Sequence, residues 1–126
     1  MHIAIYDTVE KNRTAICKHV KKIEPDATVK MFSKAEDLRI YADEENVNVA
    51  FLNIDEAGGS GYFLAEEFRK YHPRMNLIMI SEQMRYIQES MKLRASGYLN
   101  HIPTEEDVRM ELSNLRYGEL KKEKRY

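Results

Sequence analysis

Short apolar segments recur along this chain, and a segment of helical period follows each of them. His2–Tyr6 (HIAIY) is a short apolar run that predicts a buried strand. Ile16, Val20 and Ile23 then fall on one helical face, with Thr8 as the expected cap and Pro25-Asp26 as the stop. Ala27–Phe32 alternates and predicts a second strand. Ser33 and Glu36 have capping-box spacing, ahead of a helix carrying Leu38 and Tyr41. Val47–Leu52 predicts the third strand. Tyr62–Tyr71 predicts a helix with Leu64 and Phe68 inward, broken by His72-Pro73. Asn76–Ile80 predicts the fourth strand, and Met84, Ile87 and Met91 mark the next helix. Tyr98 and Leu99 form a short fifth strand after Gly97. Thr104 caps a last helix with Glu105, Glu106 and Asp107 in its first turn, where the helix dipole favours acids. Its stripe is Val108, Leu112 and Leu115, and only Gly118 interrupts its run into YGELKKEKRY.

Strands joined by crossover helices run parallel, with right-handed crossovers. Five such repeats predict an α/β, flavodoxin-like (βα)₅ three-layer sandwich with strand order 2-1-3-4-5. A chain of 126 residues holds one such domain and little more. Residues 1–117 are assigned to it, and 118–126 to a charged helix end or the start of a linker. The methionines (Met75, Met79, Met84, Met91) are expected to fill the core. Cys17 is the sole cysteine, which excludes an internal disulfide and a multi-cysteine zinc site. No apolar run approaches the ~20 residues of a membrane span. The start of the chain lacks the pattern of a signal peptide, so a cytoplasmic location is expected. A formal net charge of −1 argues against nucleic-acid binding by this segment itself.

In this architecture ligands and chemistry sit at the carboxyl ends of the strands. The side chains placed there are Asp7 and Thr8 after the first strand, Asn53 and Asp55 after the third, Ser81 after the fourth and His101 after the fifth. The stretch VNVAFLNIDEAGGSG ends its apolar run on an amide, which is neither nucleophile nor base. Structurally, Asn53 is expected to hydrogen-bond Thr8 or a loop amide and hold the turn, the alternative being contact with a ligand. Ser81 is equally suited to capping the next helix. His101 is expected to be a packed, hydrogen-bonded histidine or to pair with Asp7. It has no second His or Cys at ligand spacing, so no metal site is assigned. Gly58–Gly61 lacks the Lys-Ser/Thr of a phosphate-binding loop.

Asp7 after the first strand, a polar residue ending the third, a loop closing on Gly61, Ser81 after the fourth strand and Tyr98 in the fifth together resemble response-regulator receiver domains. The resemblance covers residues 1 to about 117. FLNID, the Ser81–Tyr98 spacing and Tyr86 in SEQMRYIQES look most like receivers of the LytTR class of transcription regulators. The resemblance implies two-component signalling by aspartyl phosphorylation. A carboxylate ending the third strand takes a phosphoryl group from a histidine kinase, and two acids after the first strand help hold Mg²⁺. A lysine after the fifth strand binds the same oxygens, and a Ser/Thr and an aromatic act as the switch. Asp7 matches the first acid, and Ser81 and Tyr98 match the switch pair. Thr8 stands for the second acid, Asn53 for the phosphoacceptor and His101 for the lysine. Ile102 and Ala57 stand where prolines are usual.

An amide is too weak a nucleophile to attack a phosphoryl group, and its neutral oxygen is a poorer Mg²⁺ ligand than a carboxylate. Replacing two of three acids leaves one negative charge, so Mg²⁺ binding is expected to be weak or absent. The sequence is thus expected to be a pseudo-receiver: a non-enzymatic regulatory module with no cofactor. Its expected partner is another protein or a second copy, through the face made by the fourth helix, fifth strand and fifth helix. The alternative is an atypical receiver phosphorylated on Asp55 or Asp7. In the LytTR class the C-terminal segment leads into a DNA-binding domain, so DNA is expected to be contacted only through such a further domain.

Overall fold

The computed structural model describes residues 1–55 and 60–118. Ala57 and the basic cluster Lys121–Arg125 lie outside the described residues. The chain alternates β1 (His2–Tyr6), α1 (Glu10–Ile23), β2 (Thr28–Phe32), α2 (Ala35–Glu44), β3 (Val49–Asn53), α3 (Ser60–Tyr71), β4 (Asn76–Ile80), α4 (Tyr86–Lys92), β5 (Gly97–Leu99) and α5 (Glu105–Ser113). The five strands pair in parallel in the order β2-β1-β3-β4-β5. This is the predicted flavodoxin-like topology.

The period-two geometry of strands divides the core into two layers. Ala4, Tyr6, Ala50, Leu52, Leu77 and Met79 face α2 and α3, where they meet Leu38, Leu64 and Phe68. Ile3, Ile5, Val49, Phe51, Ile78 and Ile80 face α1 and α5, where they meet Ile16, Val20 and Val108. Both faces of β1, β3 and β4 are therefore covered, which is why these strands read as continuous apolar runs. β2, at the edge, has no fully buried residue and leaves Met31 exposed. No helix of the described residues is long and apolar enough to cross a membrane.

Several local expectations are corrected. Thr8 does not cap α1: Val9 holds the cap position, and the Asp7 carboxylate takes the Val9 N–H. The Ser33–Glu36 capping box does not form, because Lys34 is the cap residue and Glu36 pairs with Arg39 instead. The Thr104 cap does form, reciprocally with Asp107. Met75 and Met79 fill the core, but Met84 and Met91 are exposed, because α4 begins only at Tyr86 and is two turns long. The last helix does not run on into YGELKKEKRY; it stops at Ser113, where the Asn114 side chain bonds back to the Met110 carbonyl.

Candidate functional site

The carboxyl ends of β1 and β3 lie side by side, and they bring Asp7 against Asn53. Asp7 is 1% exposed. One carboxylate oxygen accepts the Val9 N–H at 2.8 Å, and the other accepts the Asn53 amide at 2.9 Å. The Asn53 carbonyl oxygen accepts the Asp55 N–H at 3.0 Å, closing an Asx turn as β3 becomes loop. An amide is the side chain that serves both contacts, donating on one side and accepting on the other. A carboxylate at 53 would offer only acceptors and would face Asp7 with like charge. Of the two expected partners, the loop amide is found; Thr8 is exposed and its place is taken by Asp7.

Asp55 reaches across to the loop between β4 and α4. Its Oδ1 accepts the Ser81 hydroxyl at 2.5 Å and the Gln83 side-chain amide at 3.2 Å, and its Oδ2 accepts the Glu82 N–H at 2.6 Å. Ser81 is fully buried and also accepts the Gln83 N–H at 3.0 Å. It organises this turn and does not cap α4, which starts five residues later. The Tyr98 hydroxyl on β5 then donates into the same turn, 2.9 Å from the carbonyl oxygens of both Ser81 and Gln83. A continuous polar chain therefore links Asp7, Asn53, Asp55, Ser81 and Tyr98. Every oxygen of the two carboxylates already accepts an N–H or O–H.

Gly61 lets α3 start close to this turn: a Cβ there would lie 2.5 Å from the Asn53 carbonyl oxygen. Beside it, Tyr62 stacks on Tyr86 at 5.5 Å and bonds Glu89, and burial pushes the Tyr62 hydroxyl up to about 12.

His101 follows β5 at the same end of the sheet but does not join this chain. Its Nε2 lies 2.8 Å from Asp107 Oδ2 and its Nδ1 2.7 Å from Asn100 Oδ1. The expected Asp7–His101 pair is not formed, because Asp107, in the first turn of α5, holds the ring. The Asp107 carboxyl lies below its ordinary range, chiefly through the Thr104 N–H and then through His101. Ile102 packs against the α1–α5 core. Among the described residues no three His, Cys, Asp or Glu side chains gather as a metal site.

Sequence reasoning missed Gln83 and Glu82 as partners of Asp55, since both sit in an exposed loop whose conformation is set only by the turn. It also missed Asn48 and Asn76, whose signal was visible: Asn76 opens the otherwise apolar β4, and Asn48 interrupts the apolar run just ahead of β3. His2 N–H donates to Asn48 Oδ1 at 2.8 Å, and Asn76 bonds the Asn48 carbonyl, Ser96 and both backbone groups of Tyr117.

No protein-family model and no curated protein sequence matches the chain. Solved structures do match it in fold. The response regulatory domain of mrkE from Klebsiella pneumoniae superposes with a TM-score of 0.81 at 16% identity, covering 91% of this chain and 94% of that one. A CheY-like receiver domain protein from Methanospirillum hungatei gives 0.79 at 18%, covering 89% and 90%. The response regulator TrrA from Thermotoga maritima, in complex with Mg²⁺ and beryllium fluoride, gives 0.75 at 16%, covering 89% and 96%. The chain is thus similar to receiver domains in fold, over nearly the whole length of each.

Proposed function

We propose that this chain is a receiver-type signalling module that works through protein contact, without aspartyl phosphorylation. The observation that carries this reading is the state of the two carboxylates at the receiver end. Asp7 is engaged by an amide that stands in the phosphoacceptor position, and Asp55 already engages the Ser81 hydroxyl and the Glu82 N–H. TrrA was solved with Mg²⁺ and beryllium fluoride. In this chain the serine hydroxyl expected to bind a phosphoryl oxygen binds a side-chain carboxylate of the same protein. The Tyr98 hydroxyl is tied to that turn. We read the Asp55 carboxylate as an internal negative charge in place of that phosphoryl group; a ligand with no preference between states shifts nothing.

The surface proposed for contact is α4–β5–α5. Ile87, Met91 and Tyr98 border a small apolar cleft there, and Met91 and Met110 are exposed. We read this face as the site for a second copy or an effector. The likeness to LytTR-class receivers makes a role in transcription regulation the reading for a longer protein containing this domain.

The test is intact mass after incubation with acetyl phosphate and Mg²⁺, with calorimetric Mg²⁺ titration and light scattering alongside. No mass gain, no saturable heat and no change of oligomeric state are expected. A gain of one phosphoryl group would return the alternative, phosphorylation on Asp55 or Asp7. Asn53→Asp alone should remain poorly reactive. Thr8→Asp, Asn53→Asp and His101→Lys together should come closer to a working phosphoacceptor site. Reversing charge on α5 and beyond it (Arg109→Glu with Arg116→Glu) should weaken self-association; an unchanged dimer would place the interface elsewhere.

A further inference from the structure

Four arginines meet at the amino end of the sheet, away from the site above. Arg69 of α3 is 9% exposed and donates to the carbonyls of Leu93 at 2.5 Å, Pro73 at 2.8 Å, Met75 at 3.1 Å and Arg94 at 3.3 Å. Its guanidinium also sits 5.3 Å from the centre of the Tyr117 ring, and that of Arg74 lies 5.9 Å from the same centre. Burial lowers the Arg69 pKa; Tyr117 opposes the shift, and the charges of Arg94 and Arg116 add to it.

Among the described residues no carboxylate pairs with any of these four. The contrast with the rest of the surface is plain: Arg39 pairs with Glu36 and Glu67, Arg109 with Glu105 and Glu106, and Lys92 with Glu89. Composition does not force this, since the chain has 21 acidic and 20 basic residues. Arg74, Arg94 and Arg116 are exposed residues around a fourth, desolvated charge. Such a cluster attracts anions, and guanidinium forks match carboxylates in two-point contact. Arg74 also lines a cleft of about 260 Å³ with an apolar part formed by Val47, Pro73 and Met75.

We propose that this corner binds an acidic peptide segment of a partner protein, with carboxylates on Arg74, Arg94 and Arg116 and one apolar side chain in the cleft. A nucleic acid fits less well. It needs a basic track along several phosphates, whereas this is one corner of a chain with net charge −1. The inference stands apart from the phosphorylation reading, because it uses the opposite end of the sheet; Arg116 is shared with the reversal that tests self-association, and the variants below keep Arg109 so that the two outcomes separate.

The test is fluorescence anisotropy on the full chain with a labelled dodecapeptide carrying one leucine among aspartates and glutamates. Saturable, salt-sensitive binding is expected. Arg74→Glu with Arg116→Glu should weaken it by about tenfold or more, and replacing the peptide's leucine by alanine by about threefold. Arg74→Lys with Arg116→Lys should retain part of the affinity. Arg69 is left intact because its bonds hold the end of α4. Amide shift mapping on the unaltered protein should centre on Arg74, Arg94 and Arg116, which keeps the test valid if a reversal variant unfolds. No saturable binding, shifts centred elsewhere, affinity unmoved by folded reversal variants, or tighter binding of a single-stranded 12-mer oligonucleotide would each overturn the proposal.

Discussion

The two ends of the sheet are both polar, and they are built differently. At the carboxyl end, carboxylates are held by an amide, a hydroxyl and loop N–H groups, and the bonds join loops to loops. At the amino end, neutral amides join strands to strands: Asn48 takes the His2 N–H, and Asn76 ties β4 to β3, to Ser96 and to Tyr117. Asn76 is 1% exposed, whereas the donors to Asp55 include an exposed side chain and an exposed loop amide. A buried polar group that loses its partner bears its full desolvation cost, while an exposed one recovers water. The amino end should therefore carry stability, and the carboxyl end should carry the adjustable state of the loops.

The largest effect that separates the two is Asn76→Ala. It removes the partner of the Tyr117 N–H and carbonyl and the acceptor of the Ser96 hydroxyl, which keeps only the Arg116 N–H, and a loss of about 3 kcal/mol is expected from urea unfolding. Asp55→Ala should cost less, about 1–2 kcal/mol, because Glu82 N–H and the Gln83 amide turn to solvent, and only the buried Ser81 hydroxyl must turn to the Gln83 carbonyl 3.5 Å away. The same Asp55 change should nevertheless alter the surroundings of Tyr98 and Ser81, seen as amide shift changes through residues 81–86 and in β5. If Asp55→Ala destabilises more than Asn76→Ala, the division between the two ends is wrong.

Asn53→Asp sharpens the comparison within the carboxyl end. It removes the donor to Asp7 Oδ2 and sets two carboxylates at hydrogen-bond range. One of the pair is then raised in pKa, because like charges so close resist joint ionisation. A loss of about 1–2 kcal/mol is expected at pH 7. The sign follows from that raised value: the folded variant binds more protons than the unfolded chain, so the deficit shrinks as pH falls through the carboxylate range. A deficit constant between pH 7 and 4 would mean that charge repulsion is not its cause.

How much of this was readable in the sequence follows the range of the interactions. The order of strands and helices rests on local periodicity, and Asn76–Ile80 was placed to the residue. The positions of Asp7, Asn53, Asp55 and Ser81 at strand ends followed from the same periodicity. Their pairings did not. Thr8 and Ser33 have cap chemistry, yet a carboxylate one residue before Thr8 and an arginine three residues after Glu36 compete for the same groups. His101 was within reach of two acids, and the helix that carries Asp107 decided between them. Arg69 gave no signal, because its partners are carbonyls, which every residue has.

Glu111 offers the smallest and most selective test, at the junction of α5 with β5. Gly97 is the reason its side chain fits: a Cβ on residue 97 would lie 1.8 Å from Glu111 Oε2. Burial raises the Glu111 carboxyl above its ordinary value, and the charge of Asp107 adds to the effect. A carboxyl raised in the folded state binds its proton more tightly folded than unfolded. Its contribution is therefore fully favourable below the unfolded value and is lost as pH rises through the folded one. At neutral pH the charged side chain opposes folding. Glu111→Gln keeps the shape and removes the charge, so the midpoint of thermal unfolding should rise by roughly 2 °C at pH 7. At pH 4, where the native carboxyl holds its proton, the gain should vanish. A gain of equal size at both values would mean that the amide forms a new hydrogen bond. A loss at pH 7 would mean that the carboxylate is held by a favourable contact, and that the α5–β5 junction is not electrostatically opposed to folding.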